Sequence, residues 1–162
     1  MNIMGIGTHL KVKDFALSKK FYLDLGFKPV FEYGPELEFV KDEKGNLVSV
    51  PEDYHGIVFE HGGCKLEIGD GHRAVKLEVF QESIASSKVS LMVYVDTIAD
   101  IIAKCESAKI SLAVGPRHYY WGNIEIVVKD PDGLILVFIC PYSEKEAELV
   151  KPDETWATSP KK

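Results

Sequence analysis

Nothing in the sequence approaches the roughly 20 consecutive apolar residues that a helix needs to cross a bilayer, and no basic segment leading into an apolar run opens the chain. A soluble, cytoplasmic protein without a membrane partner is expected. A long basic run is missing too: 19 Lys and Arg stand against 25 Asp and Glu, for a formal charge of −6 at pH 7. Such a chain has no arm to neutralise a phosphate backbone, so nucleic acid is not an expected partner. Cysteine is scarce, with Cys64, Cys105 and Cys140 scattered and no C-x-x-C spacing. A disulfide framework or thiolate zinc cluster is therefore not expected, and three reduced thiols are. The G-x-S-x-G elbow, the Gly-rich phosphate cradles and the H-E-x-x-H helix are all absent, which removes the simplest hydrolase, nucleotide and metalloprotease readings.

What is present is enough for a core. The chain has 162 residues and is 46% hydrophobic, which suits one domain without covalent staples. GTHLKV alternates, with Leu10 and Val12 on one face and Gly7, His9 and Lys11 on the other, as a half-buried strand does. Asp14 then stands where an N-cap belongs, and Leu17 and Phe21 are four apart before Gly26, which predicts a helix over 15–25. FKPVFEYG, the neighbourhood of Leu37–Lys41, HGIVFEH and CKLEIGD follow as short strands.

The second half repeats that order. VSLMVYV alternates, Asp96 is placed to cap, and Ile98, Ile101, Ile102 and Cys105 follow at helical spacing. SLAV, NIEIVVKD, the Asp130-Pro-Asp-Gly133 turn and LILVFICPY complete a second β-α-β-β-β series. The modules span 5–69 and 87–142, joined by a linker at 70–86. Residues 41–53 read as an inserted polar loop, and 143–162 as a charged tail that is loosely ordered or forms a short helix near 144–149.

Four segments, HLKVKDFALSKKFYLDLGF, CKLEIGDG, KVSLMVYVD and WGNIEIVVKDPDGLILVF, make the chain resemble the vicinal oxygen chelate superfamily of glyoxalases, bleomycin-resistance proteins and dioxygenases. The resemblance covers roughly 5–142. It implies an α+β fold in which two βαβββ modules form a curved, mostly antiparallel sheet around a cavity, with helices on the convex face. Alternation then sends Leu10/Val12, Leu66/Ile68, Leu91/Val93, Ile124/Ile126/Val128 and Leu136/Phe138 to the helices. His9, Glu67, Ser90, Met92, Tyr94, Glu125, Val127, Val137 and Ile139 are left for the cavity.

The metal-dependent members of that superfamily place one ligand on each of four strands. By the resemblance those positions fall on Gly7, Glu67, Ser90 and Val137, of which only Glu67 carries a suitable side chain. Gly and Val offer no side-chain donor to a divalent cation, so no metal or other cofactor is expected. The alternative is one divalent metal in a shifted His/Glu set around His9, Glu67 and Glu125, serving a lyase, isomerase or dioxygenase.

His118, Tyr119, Tyr120 and Trp121 read as a loop in front of NIEIVV. Two readings stand for it: a wall for a planar or cationic ligand, or a structural cover or dimer contact. The expectation drawn together is a small-molecule binding protein that sequesters a drug or metabolite, similar to the bleomycin-resistance proteins. Its ligand-binding residues would be His9, Glu67, Ser90, Met92, Tyr94, His118, Tyr119, Trp121, Glu125 and Val137. The ligand would be aromatic or cationic, and by the resemblance the protein would be a homodimer.

Overall fold

Each half of the chain builds its own sheet. The computed structural model describes residues 2–3 and 5–160; residues 161 and 162 of the tail, with 1 and 4, lie outside the described residues. Two compact units divide the chain, Met1–Ser83 and Ile84–Lys162, and the division falls in the segment read as a linker. Among the described residues no helix is long and apolar enough to cross a membrane.

The first unit comprises β1 (Gly7–Lys11), α1 (Phe15–Asp24), β2 (Pro29–Gly34), β3 (Val40–Lys41), β4 (Leu47–Pro51), β5 (Gly56–His61), β6 (Cys64–Gly69) and the short α2 (Leu77–Phe80). Its six strands lie in the order β1-β6-β5-β2-β4-β3. Helix α1 begins as its sequence dictates. The Asp14 carboxylate accepts the Leu17 amide at 2.9 Å, filling one donor that the first turn cannot satisfy. Gly26, at φ +93°, takes the left-handed turn that follows the helix. The helix lays Phe21 and Tyr22 inward, and the Tyr22 ring meets Phe27 and Phe59 at centroid distances of 5.2 and 5.9 Å. Phe59 and Ile57 of β5, with their register partners Leu66 and Ile68 of β6, complete this core. Burying each of these side chains contributes about 1.5–3 kcal/mol.

The segment 41–53 is not a polar loop. Its polar residues make only a turn, in which Asp42 Oδ1 accepts the amides of Lys44 and Asn46 at 2.9 and 2.8 Å and Gly45 sits at φ +84°. Leu47, Val48 and Val50 then run as strand β4, parallel to β2 with Glu32 opposite Ser49. Counting charges along the segment concealed this. The β-branched residues at its C-terminal end suit a strand, and the outer edge of β2 supplies the partner.

The second unit comprises β7 (Ser90–Tyr94), α3 (Ile98–Ala108), β8 (Leu112–Tyr119), β9 (Asn123–Lys129), β10 (Ile135–Pro141) and α4 (Glu144–Val150), with strand order β7-β10-β9-β8. The β9–β10 turn is built as expected. Asp130 Oδ1 accepts the amides of Asp132 and Leu134 at 3.0 and 2.8 Å, and Gly133 takes φ +97°. Only Gly fits there, because a Cβ would come within 2.5 Å of the Ile84 carbonyl oxygen.

Two expectations change in this unit. Asp96 does not cap α3: the N-cap is Thr97, and its hydroxyl donates to Glu146 of α4 at 3.0 Å. The same carboxylate accepts the Ala99 amide at 2.8 Å, so the cap comes from a distant helix. His118 and Tyr119 do not lie in a loop either. They end the eight-residue strand β8, opposite Ile124 and Asn123, and the turn is confined to Tyr120–Gly122. Beyond α4 the tail runs along β8. Asp153 donates to the Pro116 carbonyl at 2.8 Å, and the amides of His118 and Tyr120 donate to the carbonyls of Asp153 and Trp156 at 3.0 and 2.8 Å.

The fold is α+β, with four helices and two sheets of six and four strands among the described residues. Antiparallel ladders predominate, joined by parallel ones at β1–β6, β2–β4 and β7–β10. Alternation sorts the faces as the period-two pattern requires. Ile124, Ile126, Val128, Leu136 and Phe138 are at most 1% exposed, while Met92 and Tyr94 are 59% and 72% exposed.

Candidate functional site

Three rows of side chains cross the face of the first sheet opposite the Leu66/Phe59 core. The middle row runs Phe31–Val58–Glu67–His9 through β2, β5, β6 and β1, each residue directly opposite the next. One step along lie Glu60, Lys65 and Gly7, and one step the other way lie Tyr33, Gly56, Gly69 and Lys11. Alternation along each strand places these three rows on one face.

The middle row and the Glu60–Lys65–Gly7 row floor a cleft of about 870 Å³ within this unit. Its outer wall comes from the β3–β4 hairpin, through Asp42, Asn46, Leu47 and Val48. The segment set aside as an insertion is thus part of the site.

The third row explains how Glu67 is held. Gly56 and Gly69 leave a trough in the sheet in which the Tyr33 ring lies. A Cβ on Gly56 would stand 2.0–2.4 Å from three atoms of that ring, and one on Gly69 would stand 3.1 Å from the Tyr33 hydroxyl. Tyr33 therefore reaches across β5 and donates its hydroxyl hydrogen to Glu67 Oε1 at 2.7 Å. Burial, reinforced by this bond, pushes the Tyr33 phenol far above its ordinary range. No other described residue donates a hydrogen bond to Glu67.

His9 packs edge-on against His72 at 5.7 Å, and its Nε2 is buried without a hydrogen-bond partner among the described residues. Burial holds the imidazole below its ordinary 6.5, against the opposing pull of the Glu67 carboxylate. It is a neutral ring at neutral pH. His55, His61 at the end of β5 and His72 have local partners: His55 Nδ1 with Asp70 Oδ2 at 2.9 Å, His61 Nε2 with the Lys28 amide, and His72 Nδ1 with the Ala74 amide.

The remaining residues picked out by sequence lie in the second unit. Met92 of β7 is opposite Val137 of β10, which is opposite Val127 of β9; Tyr94, Ile139 and Glu125 form the next row, and Ser90 lies beside Ile135. Ile139 is only 2% exposed and is closed to a ligand. Trp121 Nε1 donates to Glu125 Oε1 at 3.3 Å, and its ring stacks on Tyr119 at 4.4 Å. His118 is engaged by the chain itself. Its Nδ1 meets Glu154 Oε2 at 2.7 Å and its ring stacks on Tyr142 at 3.9 Å.

Phe31, Tyr33, Val58 and the 42–48 hairpin were missed by sequence reasoning. The alternation of FKPVFEYG and HGIVFEH carries the signal for the first three. A bulge between Pro29 and Phe31 shifts the register, however, so period alone does not say which face they take.

A family model, the Glyoxalase/Bleomycin resistance protein/Dioxygenase superfamily, matches residues 7–138. The chain belongs to this superfamily. Among solved structures, the hypothetical protein SA1046 from S. aureus is 18% identical with a TM-score of 0.54, covering 86% of this chain and 94% of its own. A glyoxalase I mutant from Zea mays is 15% identical with a TM-score of 0.57, covering 86% of this chain and 45% of its own. The fosfomycin resistance protein FosX from Listeria monocytogenes, complexed with Mn(II) and sulfate, is 11% identical with a TM-score of 0.51, covering 91% and 97%. At these identities the likeness is one of fold. No curated protein matches the chain.

A divalent metal at the positions that the superfamily resemblance assigns does not fit the donors present. Gly7 and Val137 have no side-chain donor atom, Ser90 offers only a hydroxyl, and Glu67 is left as the one carboxylate of the four. Among the described residues no three His, Cys, Asp or Glu side chains are grouped to hold an ion. Of the shifted set, His9 and Glu67 lie opposite each other in register in the first unit, and Glu125 belongs to the second.

Proposed function

We propose that this superfamily member binds and sequesters a small amphipathic molecule, aromatic or cationic, in the cytoplasm, without a metal or other cofactor and without altering its guest. The observation that carries this reading is the cleft of about 870 Å³ on the first sheet, whose lining mixes Phe31, Val58 and Leu47 with Glu67 and Glu60. Its size lies in the range of pockets that take drug-sized ligands, and its lining is richer in polar and charged groups than is usual for them, which suits an amphipathic guest. Side chains of the unit do not close it.

A homodimer is part of the proposal. Strand β7 is an edge of its sheet and carries the exposed Met92 and Tyr94, whereas the other edge, β8, is covered by the tail. An uncovered edge with apolar side chains suits a second copy of the chain. Exposed Trp121 and Tyr120, in the turn between β8 and β9, suit either that copy or a ligand.

A thermal-shift screen with glycopeptides and aromatic cations, run with and without divalent metals, tests the function. Binding to the native state must raise its apparent stability, by about 2.7 kcal/mol when ligand is at one hundred times its Kd. The expected result is a shift that survives a chelator. Stoichiometric zinc, nickel, manganese or iron in the purified protein, lost together with a catalytic activity on chelation, would falsify the sequestration reading.

A further inference from the structure

We propose that Glu67 anchors an organic ammonium, a ligand bearing at least one N–H on a positively charged nitrogen attached to an apolar or aromatic body. The inference rests on the binding reading above and names the chemical class that the first unit's cleft accepts.

The charges of the cleft point one way. Among the described residues that line it, Asp42, Glu60 and Glu67 are carboxylates and Lys65 is the one ammonium, standing 3.7 Å from Glu60. Asp42 is occupied in its turn, where Asn46 donates to both carboxylate oxygens. Among the described residues Glu67 has neither a place in a turn nor a cationic partner. Its register neighbour His9 does not supply one, because burial keeps that imidazole neutral. A cleft lined with an excess of one sign focuses its field and concentrates ions of the other.

The hydrogen-bond inventory agrees. An ionised carboxylate can accept about four hydrogen bonds. Tyr33 gives its single hydrogen to Oε1, and no other described residue donates to Glu67. The site thus asks its guest for donors and offers a positioned acceptor. Tyr33 is the positioning residue, its ring fixed in the Gly56/Gly69 trough so that the carboxylate is held rather than searching rotamers. Beside Glu67 in the same row come Val58 and then Phe31, two strand spacings away, or roughly 10 Å across the sheet. An ammonium at Glu67 would lay its apolar body over Val58 and against the Phe31 ring.

Four probes separate the alternatives: phenethylammonium, the neutral phenethyl alcohol, the anionic hydrocinnamate, and phenyltrimethylammonium, which has charge but no N–H. Binding to the full chain is measured by calorimetry, and its location by amide shifts at Phe31 and Val58. Phenethylammonium is expected to bind at least tenfold more tightly than the other three, with hydrocinnamate weakest. Glu67→Gln keeps an acceptor for Tyr33, so the fold is retained. It is expected to abolish the advantage while leaving the affinity for phenethyl alcohol in place. Glu106→Gln, which removes the same charge from the surface of the second unit, is expected to change nothing. Equal affinity for the alcohol, the carboxylate or the quaternary cation, or an unchanged Glu67→Gln, overturns the ammonium assignment and leaves the sequestration reading standing. Failure of all four to shift Phe31 or Val58 removes both.

Discussion

Two histidines of the first unit respond to pH in opposite senses, because one is half-buried with its Nε2 unpartnered among the described residues and the other is clasped by acids. His55 stacks on Phe15, places Nδ1 against Asp70 and Nε2 3.2 Å from Glu36, and takes its backbone support from Asp70 as well. The Asp70 hydrogen bond raises it above the ordinary 6.5. Its contribution to stability is therefore complete below 6.5 and is lost as pH rises through the elevated value. His9 is depressed, so the unfolded chain takes up a proton first as pH falls below 6.5, and stability is lost on that side. In urea titrations, the loss of stability caused by His55→Asn is expected to be larger at about pH 5.5 than at about pH 8. For His9→Asn the deficit relative to wild type should shrink as the solution is acidified. A His55→Asn deficit that grows with pH would show that the acid clasp does not hold this ring in its charged form.

Helices α1, α3 and α4 begin where a carboxylate or hydroxyl reaches the first free amides, and the source of that group differs among them. Helix α2 follows Lys76 without such a cap. Helix α1 uses its own Asp14, and α4 uses Ser143, whose Oγ accepts the Glu146 amide at 3.1 Å. Helix α3 depends on Glu146 of α4, a residue only 7% exposed. Glu146→Ala removes that acceptor and the partner of the Thr97 hydroxyl together. A loss of about 1–2 kcal/mol is expected, the usual value of an N-cap, with faster hydrogen exchange at Ala99. Glu146→Gln, which retains one carbonyl oxygen, should cost less. An unchanged denaturation midpoint in the Ala variant would mean that α3 does not draw on α4.

The molecule as a whole carries an excess of acid and leaves apolar side chains on an uncovered strand edge. At a net charge of −6 repulsion between copies is modest, and it opposes rather than prevents association through β7. Sedimentation equilibrium is expected to give a mass of twice the 18.1 kDa chain. Met92→Lys together with Tyr94→Lys should halve it, since both side chains are already exposed and their replacement costs the fold little. A wild-type chain that sediments as a monomer at micromolar concentration would remove the dimer from the proposal.

The local patterns of the sequence were sufficient for much of this architecture. Asp14, Gly26, Asp130-Pro-Asp-Gly133 and the alternation of NIEIVV act through neighbours in the chain, and the elements they predict are present. The same period placed His9 and Glu67 on one face, and they meet in register. Only tertiary structure decided what depends on partners far away in the chain. The Asp42–Pro51 segment became a wall of the cleft because β2 offered an edge. Glu146 displaced Asp96 at the start of α3, and the tail drew His118 to Glu154 and Tyr142. Tyr33 was missed for the same reason. Its hydroxyl reaches Glu67 through space left by Gly56 and Gly69, 23 and 36 positions further along the chain, and no local period encodes that register.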